Sequence, residues 1–324
     1  MSSSSPLVSI LIRSMDRPTL QRALDSIAAQ DYPNLEVVVV AADPSHRAMP
    51  DACGAFPLRF VPTVRQLKRA EAANVALEAA RGDWFNFLDD DDELLPNHVS
   101  RLRAALDAET GFRLAHAVSQ DVDADGRTIA LHGGRFKPWR QLDTGFFRPC
   151  AAMFSSTLLD DGAMFDPRFE ILEDMDFFVQ CAALTPFLFV GEVTTRYYVD
   201  AGDSGAGRGT NRDNERLQSA FVVLREKWAD LDKRMRATPE FRAEHALFLI
   251  DNGHFDEAVP LVVGLLREDP ASTNGRTLRV LQLIARGDVE RAKVVLAEIG
   301  EATPSIDELA LKLDQVRSRM ATLH

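Results

Sequence analysis

Five acidic residues in a row, Asp89, Asp90, Asp91, Asp92 and Glu93, sit inside the stretch "FNFLDDDDELLP" (85–96). At an effective dielectric near 20, carboxylates about 6 Å apart repel by roughly 3 kcal/mol, so folding alone gives no reason to collect them. A hard divalent cation does. If Asp89 to Asp91 continue an extended strand, Asp89 and Asp91 project to one side and Asp90 to the other. Two oxygen donors on one side suit Mn²⁺ or Mg²⁺, and such an ion bridges phosphates. A solvated turn whose acids favour the dipole of the helix starting near Pro96 explains the same residues without a ligand. A second acidic group lies in "FDPRFEILEDMDFF" (165–178), where Glu173, Asp174 and Asp176 sit among apolar side chains. A carboxylate held beside apolar groups can have its proton affinity tuned for general-base work; an ordinary helix N-terminus is the alternative.

The elements that must position these groups alternate. "LVSILI" (7–12) and "LEVVVV" (35–40) have the apolar, β-branched character of strands buried on both faces. Between them, Leu20, Ala23, Leu24 and Ile27 recur at helical spacing, and "DYPN" ends that helix. "LRFVPT" is a weaker third strand, "LKRAEAANVALEAAR" an Ala-rich helix stopped by Gly82, and "WFNFLD" a fourth strand that runs into the acids. The order predicts an α/β domain with a mostly parallel central sheet and a ligand beyond the carboxyl ends of its strands. Residues 97 to about 200 read as mixed: a helix in "HVSRLRAALDAE", a hairpin around "DADGRT", a loop rich in Arg, Trp and Phe, then the second acidic segment. The Gly-rich "DAGDSGAGRGT" (200–210) leads into a helical remainder. There, "NGHFDEAVPLVVGLLREDP" and "RGDVERAKVVLAEIGEATP" align Gly253 with Gly287, Phe255 with Val289 and Ala258 with Ala292, each pair 34 residues apart. That period resembles a tetratricopeptide repeat pair. "PSIDELALKLDQVRSRMATL" adds a terminal helix, with Ser305 and Glu308 as a capping box, that caps the repeats or pairs two subunits. The expected domains are 1–234, α/β, and 235–324, a small all-α repeat domain.

With 324 residues the chain is long enough for a well-buried core. Its net charge is −12 and its Lys and Arg are scattered, which argues against nucleic-acid binding. An anionic ligand therefore needs a local cation. Cys53, Cys150 and Cys181 are far apart and lack CxxC spacing, so buried free thiols are expected rather than disulfides or a zinc site. The N-terminal "MSSSSPLVSILIRS" has no cationic segment and no cleavage site, and no stretch approaches about 18 apolar residues. The expectation is a cytoplasmic protein, free or peripheral at the inner face of a membrane, without a transmembrane segment.

From Leu7 to about Gly205 the chain resembles the family 2 glycosyltransferases of the GT-A fold. The matching pieces are "VSILIRSMDRPTLQRALDSIAAQDYPNLEVVVV", "AANVALEAARGDWFNFLDDDDELLP", and "AMFDPRFEILEDMDFFVQCA" followed by "TRYY". Their order and spacing together carry the likeness. The resemblance implies a nucleoside-diphosphate-sugar donor, a UDP-sugar first among them, and a saccharide, glycoconjugate or protein acceptor. It places the DxD motif on Asp89, Asp90 and Asp91, with Asp89 and Asp90 on the donor side and Asp91, with Asp89, on the Mn²⁺ or Mg²⁺. It places the Glu-Asp motif on Glu173 and Asp174, with Asp174 as the base of an inverting transfer. Ser14 and Arg17 answer to the first-strand motif, where the family's Pro-Thr-Tyr-Asn-Arg is replaced by "RSMDR". Ala41 and Ala42 stand where the family commonly has Asp-Asp for the nucleotide base, displacing the acid to Asp43. Ala73 stands where an Arg is frequent, leaving Lys68 or Arg69 to substitute, and Tyr198 replaces a histidine. Arg208 in the Gly-rich stretch could reach the diphosphate as part of a lid.

Other signals are weaker. "DVDADG" (121–126) mimics a calcium loop, but its twelfth position is His132 and a hairpin turn is favoured. Phe136, Trp139, Phe146 and Phe147 are core or acceptor-side aromatics. Beside a transferase stand three other classes: a nucleotidyltransferase, which would want a Gly-rich, Lys-bearing loop near the first strand that "RSMDRPT" lacks; a phosphatase with an aspartyl nucleophile, which would want its acids at the end of the first strand and not the fourth; and a diverged scaffold that binds a protein partner through its helical repeats.

Overall fold

The computed structural model describes residues 5–134, 142, 147–201, 212–251, 257, 261 and 294. The chain divides into two compact units, 1–228 and 229–324.

In the first unit the strands are β1 (Val8–Ser14), β2 (Leu35–Ala41), β3 (Ala52–Cys53), β4 (Phe56–Val61), β5 (Trp84–Phe87), β6 (Glu93–Leu94), β7 (Leu114–Val122), β8 (Thr128–His132), β9 (Ala152–Ser155) and β10 (Phe187–Tyr198). The helices are α1 (Leu20–Ala28), α2 (Arg69–Ala79), α3 (His98–Ala108), α4 (Thr157–Asp160), α5 (Glu173–Leu184) and α6 (Asn214–Lys227). The strands lie in the order β3-β4-β2-β1-β5-β9-β7-β10-β6, with β8 paired to β7. Successive side chains of a strand point to opposite faces, and β1 shows why both of its faces are apolar. Val8, Ile10 and Ile12 pack with Leu20, Ala23, Leu24 and Ile27 of α1 and with Val99 and Leu102 of α3. Leu11 packs on the other face with Ala70, Ala72, Ala73 and Ala76 of α2 and Phe177 of α5. The small side chains of α2 hold that helix close to the sheet.

The sheet is mixed, which corrects the expectation of a mostly parallel one. β4, β2, β1 and β5 are parallel, as are β7 and β10, but β9 runs antiparallel between β5 and β7, and β3, β6 and β8 also pair antiparallel. Apolar runs of four residues such as "AMFS" encode burial and carry no strand direction. The fourth strand also ends earlier than its sequence suggests, at Phe87, so the acids occupy a turn in which the N–H of Asp92 donates to the carbonyl of Asp89 at 3.2 Å. The approach to that strand depends on Gly82: a Cβ there would fall 2.6 Å from Ser9 Oγ and 2.9 Å from the Leu7 carbonyl oxygen.

The stretch "DADGRT" forms the β7–β8 turn, where Asp123 Oδ1 accepts the N–H groups of Asp125 and Arg127 at 3.0 and 2.8 Å. Its carboxylate is thereby spent on the turn. The three cysteines are buried and free.

In the second unit, α7 (Ala229–Arg236) and α8 (Pro239–Asp251) are described. The aligned repeat positions, Gly253 with Gly287, Phe255 with Val289 and Ala258 with Ala292, and the terminal helix from Ser305, lie outside the described residues. Among the described residues no helix is long and apolar enough to cross a membrane.

Candidate active site

The acidic turn alternates in exposure. Asp89 and Asp91 are partly exposed and line a cleft of about 510 Å³, whereas Asp90 and Asp92 are buried. Asp90 is a hub for the loop after β1: it accepts from Ser14 Oγ at 3.1 Å, from the Met15 N–H at 2.9 Å and from Arg17 Nη1 at 2.7 Å. Ser14 is fully buried, and its hydroxyl also meets His46 Nε2 at 2.9 Å and the Asp16 N–H at 3.0 Å. Asp92 accepts the Tyr198 N–H at 3.0 Å. From α1, Arg22 donates to the Asp91 carbonyl at 2.6 Å, with its guanidinium 3.6 Å from the centre of the Tyr198 ring. The turn is therefore gripped from β1, α1 and β10, which fixes where Asp89 and Asp91 point.

Among the described residues its charge is only partly balanced by ion pairs. Burial alone would raise the proton affinity of Asp89, but the charge and hydrogen bond of Arg13, helped by Arg69 and Arg17, hold it below the usual carboxylate range. Burial and the charges of Asp89 and Asp90 push Asp91 up to about 6. Asp92 is pushed well above its ordinary value by burial and by Asp91 and Asp89. Carboxylate oxygens of Asp89, Asp91 and Asp92 all lie within 4.8 Å of one another. An all-oxygen, anionic donor set with excess negative charge fits a hard divalent cation.

Asp174 and Glu173 open α5. The residue before them, Leu172, has φ +63°, a left-handed conformation that costs a side-chain-bearing residue about 1–2 kcal/mol. Leu172 packs against Phe169, Met175 and Leu224, so the kink is held by apolar contact. Glu173 is buried and Asp174 half-buried. Burial first, then the charge of Glu173, push Asp174 up to about 6, and Arg13 partly offsets this. Arg13 joins the two acidic groups: Nη2 meets Asp89 Oδ1 and Nη1 meets Glu173 Oε1, each at 2.7 Å.

Around the cleft the cationic side chains are Arg13, Arg17, Lys68, Arg69 and Arg216, facing Asp89, Asp91 and Glu170. Lys68 Nζ lies 2.7 Å from Glu170, and Arg216 of α6 lies 3.7 Å from it. The structure thus brings together Arg17, Arg69, Asp89 and Asp91 of the residues expected from sequence. Ser14 and Asp90 lie beneath that wall. Among the described lining residues Glu173 and Asp174 do not appear; Glu173 is bonded to Arg13, which does line the cleft. Asp43 does not line it either: its carboxylate accepts from the Ser45 N–H and hydroxyl at 2.8 and 2.5 Å. Arg208, Phe136, Trp139 and Phe146 lie outside the described residues. Phe147 is core, stacked on His116 with centroids 4.7 Å apart.

Residues 9–162 match the family model described as Glycosyl transferase family 2. That match makes this part of the chain, just under half of its length, similar to the family. The succinoglycan biosynthesis protein ExoO of Rhizobium meliloti is 34% identical over 116 residues, 35% of this chain and 33% of that protein. An uncharacterized glycosyltransferase of Haemophilus influenzae is 29% identical over 97 residues, 30% of this chain and 33% of that protein. The chain therefore matches about a third of the length of each of these two relatives. Among solved structures, S. aureus TarS 1-349 in complex with UDP-GlcNAc superposes with a TM-score of 0.56 at 15% identity, covering 97% of this chain and 92% of that one. That likeness shows the GT-A-like α/β fold.

Arg13, Arg22, Asp92 and Arg216 are the site residues that sequence reasoning missed. Arg13 left one signal: a charged residue in an otherwise buried strand, which needs a partner.

Proposed function

We propose that the protein transfers a sugar from a nucleoside-diphosphate-sugar donor to an acceptor hydroxyl with inversion, assisted by a divalent cation. The observation that carries this is the joining of the acidic turn to the Glu173–Asp174 pair by Arg13 at one side of a single cleft. Asp89, Asp91 and Asp92 would hold the cation, Mn²⁺ or Mg²⁺. Bound there, it would neutralise charge on the leaving diphosphate. Arg17, Arg69 and Arg216 line the same cleft and add fixed positive charge for the donor's phosphates. Asp174 takes the proton from the acceptor hydroxyl as that oxygen attacks the anomeric carbon. Its proton affinity suits the task, since a carboxylate near pH 6 is ionised at neutrality and still basic enough to accept a proton. Contacts of this kind commonly tighten only when substrate is bound. The base pocket lies two strands from the acidic turn, where Ala42, Gln66 and Leu67 line the cleft. UDP-sugars are the first donors to test, because the TarS structure of the same fold holds UDP-GlcNAc.

A thermal-shift panel of nucleoside diphosphates, each with and without Mn²⁺ or Mg²⁺, tests the donor and cation. Release of nucleoside diphosphate from the matching sugar donor, lost in Asp91→Ala and Asp174→Ala, tests the transfer. Failure of every diphosphate to raise the melting temperature in the presence of either ion would overturn the proposal.

A further inference from the structure

We propose that Arg13 is a positioning residue that ties the donor-side turn to the base-bearing helix, so that Asp89 and the Glu173–Asp174 pair are held as one unit. The inference rests on the transferase function proposed above and deepens it.

Arg13 is the one partly exposed position of β1, and its side chain is 10% exposed. Its two terminal nitrogens are divided between two carboxylates from segments 76 and 160 residues away, at 2.7 Å each. A guanidinium is suited to this division, because its rigid planar fork offers separate donors that a lysine ammonium, a point charge on a flexible stem, does not. Its guanidinium also lies 5.7 Å from the centre of the Phe87 ring at the end of β5. The fork therefore has one position, set by the strand that carries the acidic turn.

The far end of the contact needs such a tie. Leu172 has a left-handed backbone immediately before Glu173, and strained positions persist where surrounding contacts over-determine them. α5 is held on both sides of Asp174. Glu173, on one side, is held by Arg13. Asp176, on the other, is fully buried and held by Lys227 Nζ and Trp228 Nε1, both at 2.8 Å. Asp174, between them, accepts the N–H of its neighbour Met175 at 2.8 Å. The flanking acids thus fix the first turn of α5 while the middle one keeps its carboxylate for other work.

Two measurements on the full chain test the role. Hydrogen exchange of the peptide covering 169–178 reads the tie without any substrate. Arg13→Gln should speed its exchange at least 10-fold, Arg13→Lys should recover part of the protection, and peptides from α3 should not change. A double-mutant cycle in donor turnover, using the sugar form of whichever diphosphate the panel identifies, reads its consequence. Arg13→Gln should lower kcat about 100-fold with Arg13→Lys restoring at least a tenth of the wild-type value. Arg13→Gln combined with Glu173→Gln should be no more than about 3-fold worse than the poorer single variant, because groups acting through one contact are not additive. Unchanged exchange at 169–178 in Arg13→Gln, or multiplicative losses in the cycle, would overturn the proposal. A wild-type chain inactive on every donor would instead count against the transferase function, and the exchange result would still decide the role of Arg13.

Discussion

The turn at 89–92 and the pair Asp166–Asp176 both gather carboxylates beside a hydrophobic core, yet the chain treats them differently. Asp166 and Asp176 share Lys227 Nζ, 2.8 Å from each, and Arg168 adds a second cation on Asp166 at 2.6 Å. Trp228 Nε1 and Gln180 Nε2 complete the partners of Asp176 at 2.8 and 2.9 Å. The Arg168 hydrogen bond, with Lys227 behind it, holds Asp166 well below the usual carboxylate range against the opposing effect of burial. In the 89–92 turn Arg13 and Arg17 serve Asp89 and Asp90, while Asp91 has Arg17 at 3.8 Å and Asp92 is met by a backbone N–H. The first cluster is finished by the protein itself and is structural. Among the described residues the second has more negative charge than its ion pairs balance, and the proposed cation would offset that excess.

The strongest way to break this comparison is Asp91→Ala. It should lower donor turnover by about 10³-fold or more, the scale of losing one principal electrostatic stabiliser of the leaving group, and abolish cation-dependent stabilisation by the nucleoside diphosphate. The fold should be no less stable, because a repelling carboxylate has gone. Kinetics and melting curves with and without Mn²⁺ decide it; a drop in stability without loss of cation response would place the turn with the structural cluster.

Asp174→Asn should cost about 10²–10⁴-fold in turnover, the range of a general base, and the wild-type acid limb should lie near pH 6. Its effect on stability has the opposite sign. The folded state binds the Asp174 proton more tightly than the unfolded chain does, so its contribution is full below the ordinary carboxylate value and is lost as pH rises through about 6. The Asn variant should therefore melt higher than wild type at pH 8 by on the order of 1 kcal/mol, reduced from the full shift because the group is half-buried, and this gain should shrink at pH 4.

Asp176→Ala should do the reverse of Asp91→Ala. Removing the shared partner of Lys227 and Trp228 should destabilise the first unit by about 2–4 kcal/mol, somewhat under the cost of breaking a fully buried pair because Lys227 is 21% exposed. Chemical denaturation measures it. Nucleoside-diphosphate affinity should fall much less than in Asp91→Ala. Asp166 also gives this cluster the opposite pH signature to Asp174: its stabilisation is present above the ordinary carboxylate range and lost as pH falls below it.

The smallest effect sharpens the boundary of the site. Asp43→Ala should change nucleoside-diphosphate affinity by less than about 3-fold in calorimetry, since an exposed carboxylate engaged in its own turn contributes little elsewhere. Restoring an acid at Ala42, which does line the cleft, should change base preference more.

Much of the frame was legible from one-dimensional pattern. Burial periodicity located β1, α1, β2 and β5, because apolar side chains at period 2 or 3.6 must share a face. Charge repulsion marked the acidic turn as needing an explanation, and the acid-rich opening of α5 marked the second group. Strand direction was not legible in β9, whose four residues are buried whichever way they run. Nor was the division of labour within the acids, where one residue of difference puts Asp90 in the interior and Asp91 in the cleft.

By itself, then, the sequence determined the main strands and helices around β1, where negative charge accumulates, and that β1 carries a charged residue in an otherwise uncharged run. Tertiary structure alone decided that Arg13 meets Asp89 and Glu173, that Asp43 turns back on Ser45, and that Lys227 cancels one acidic cluster while the other keeps its charge. The physical reason is range. Burial patterns arise from neighbours a few residues apart, whereas ion pairs depend on distances of a few ångströms between side chains that only the folded sheet brings together.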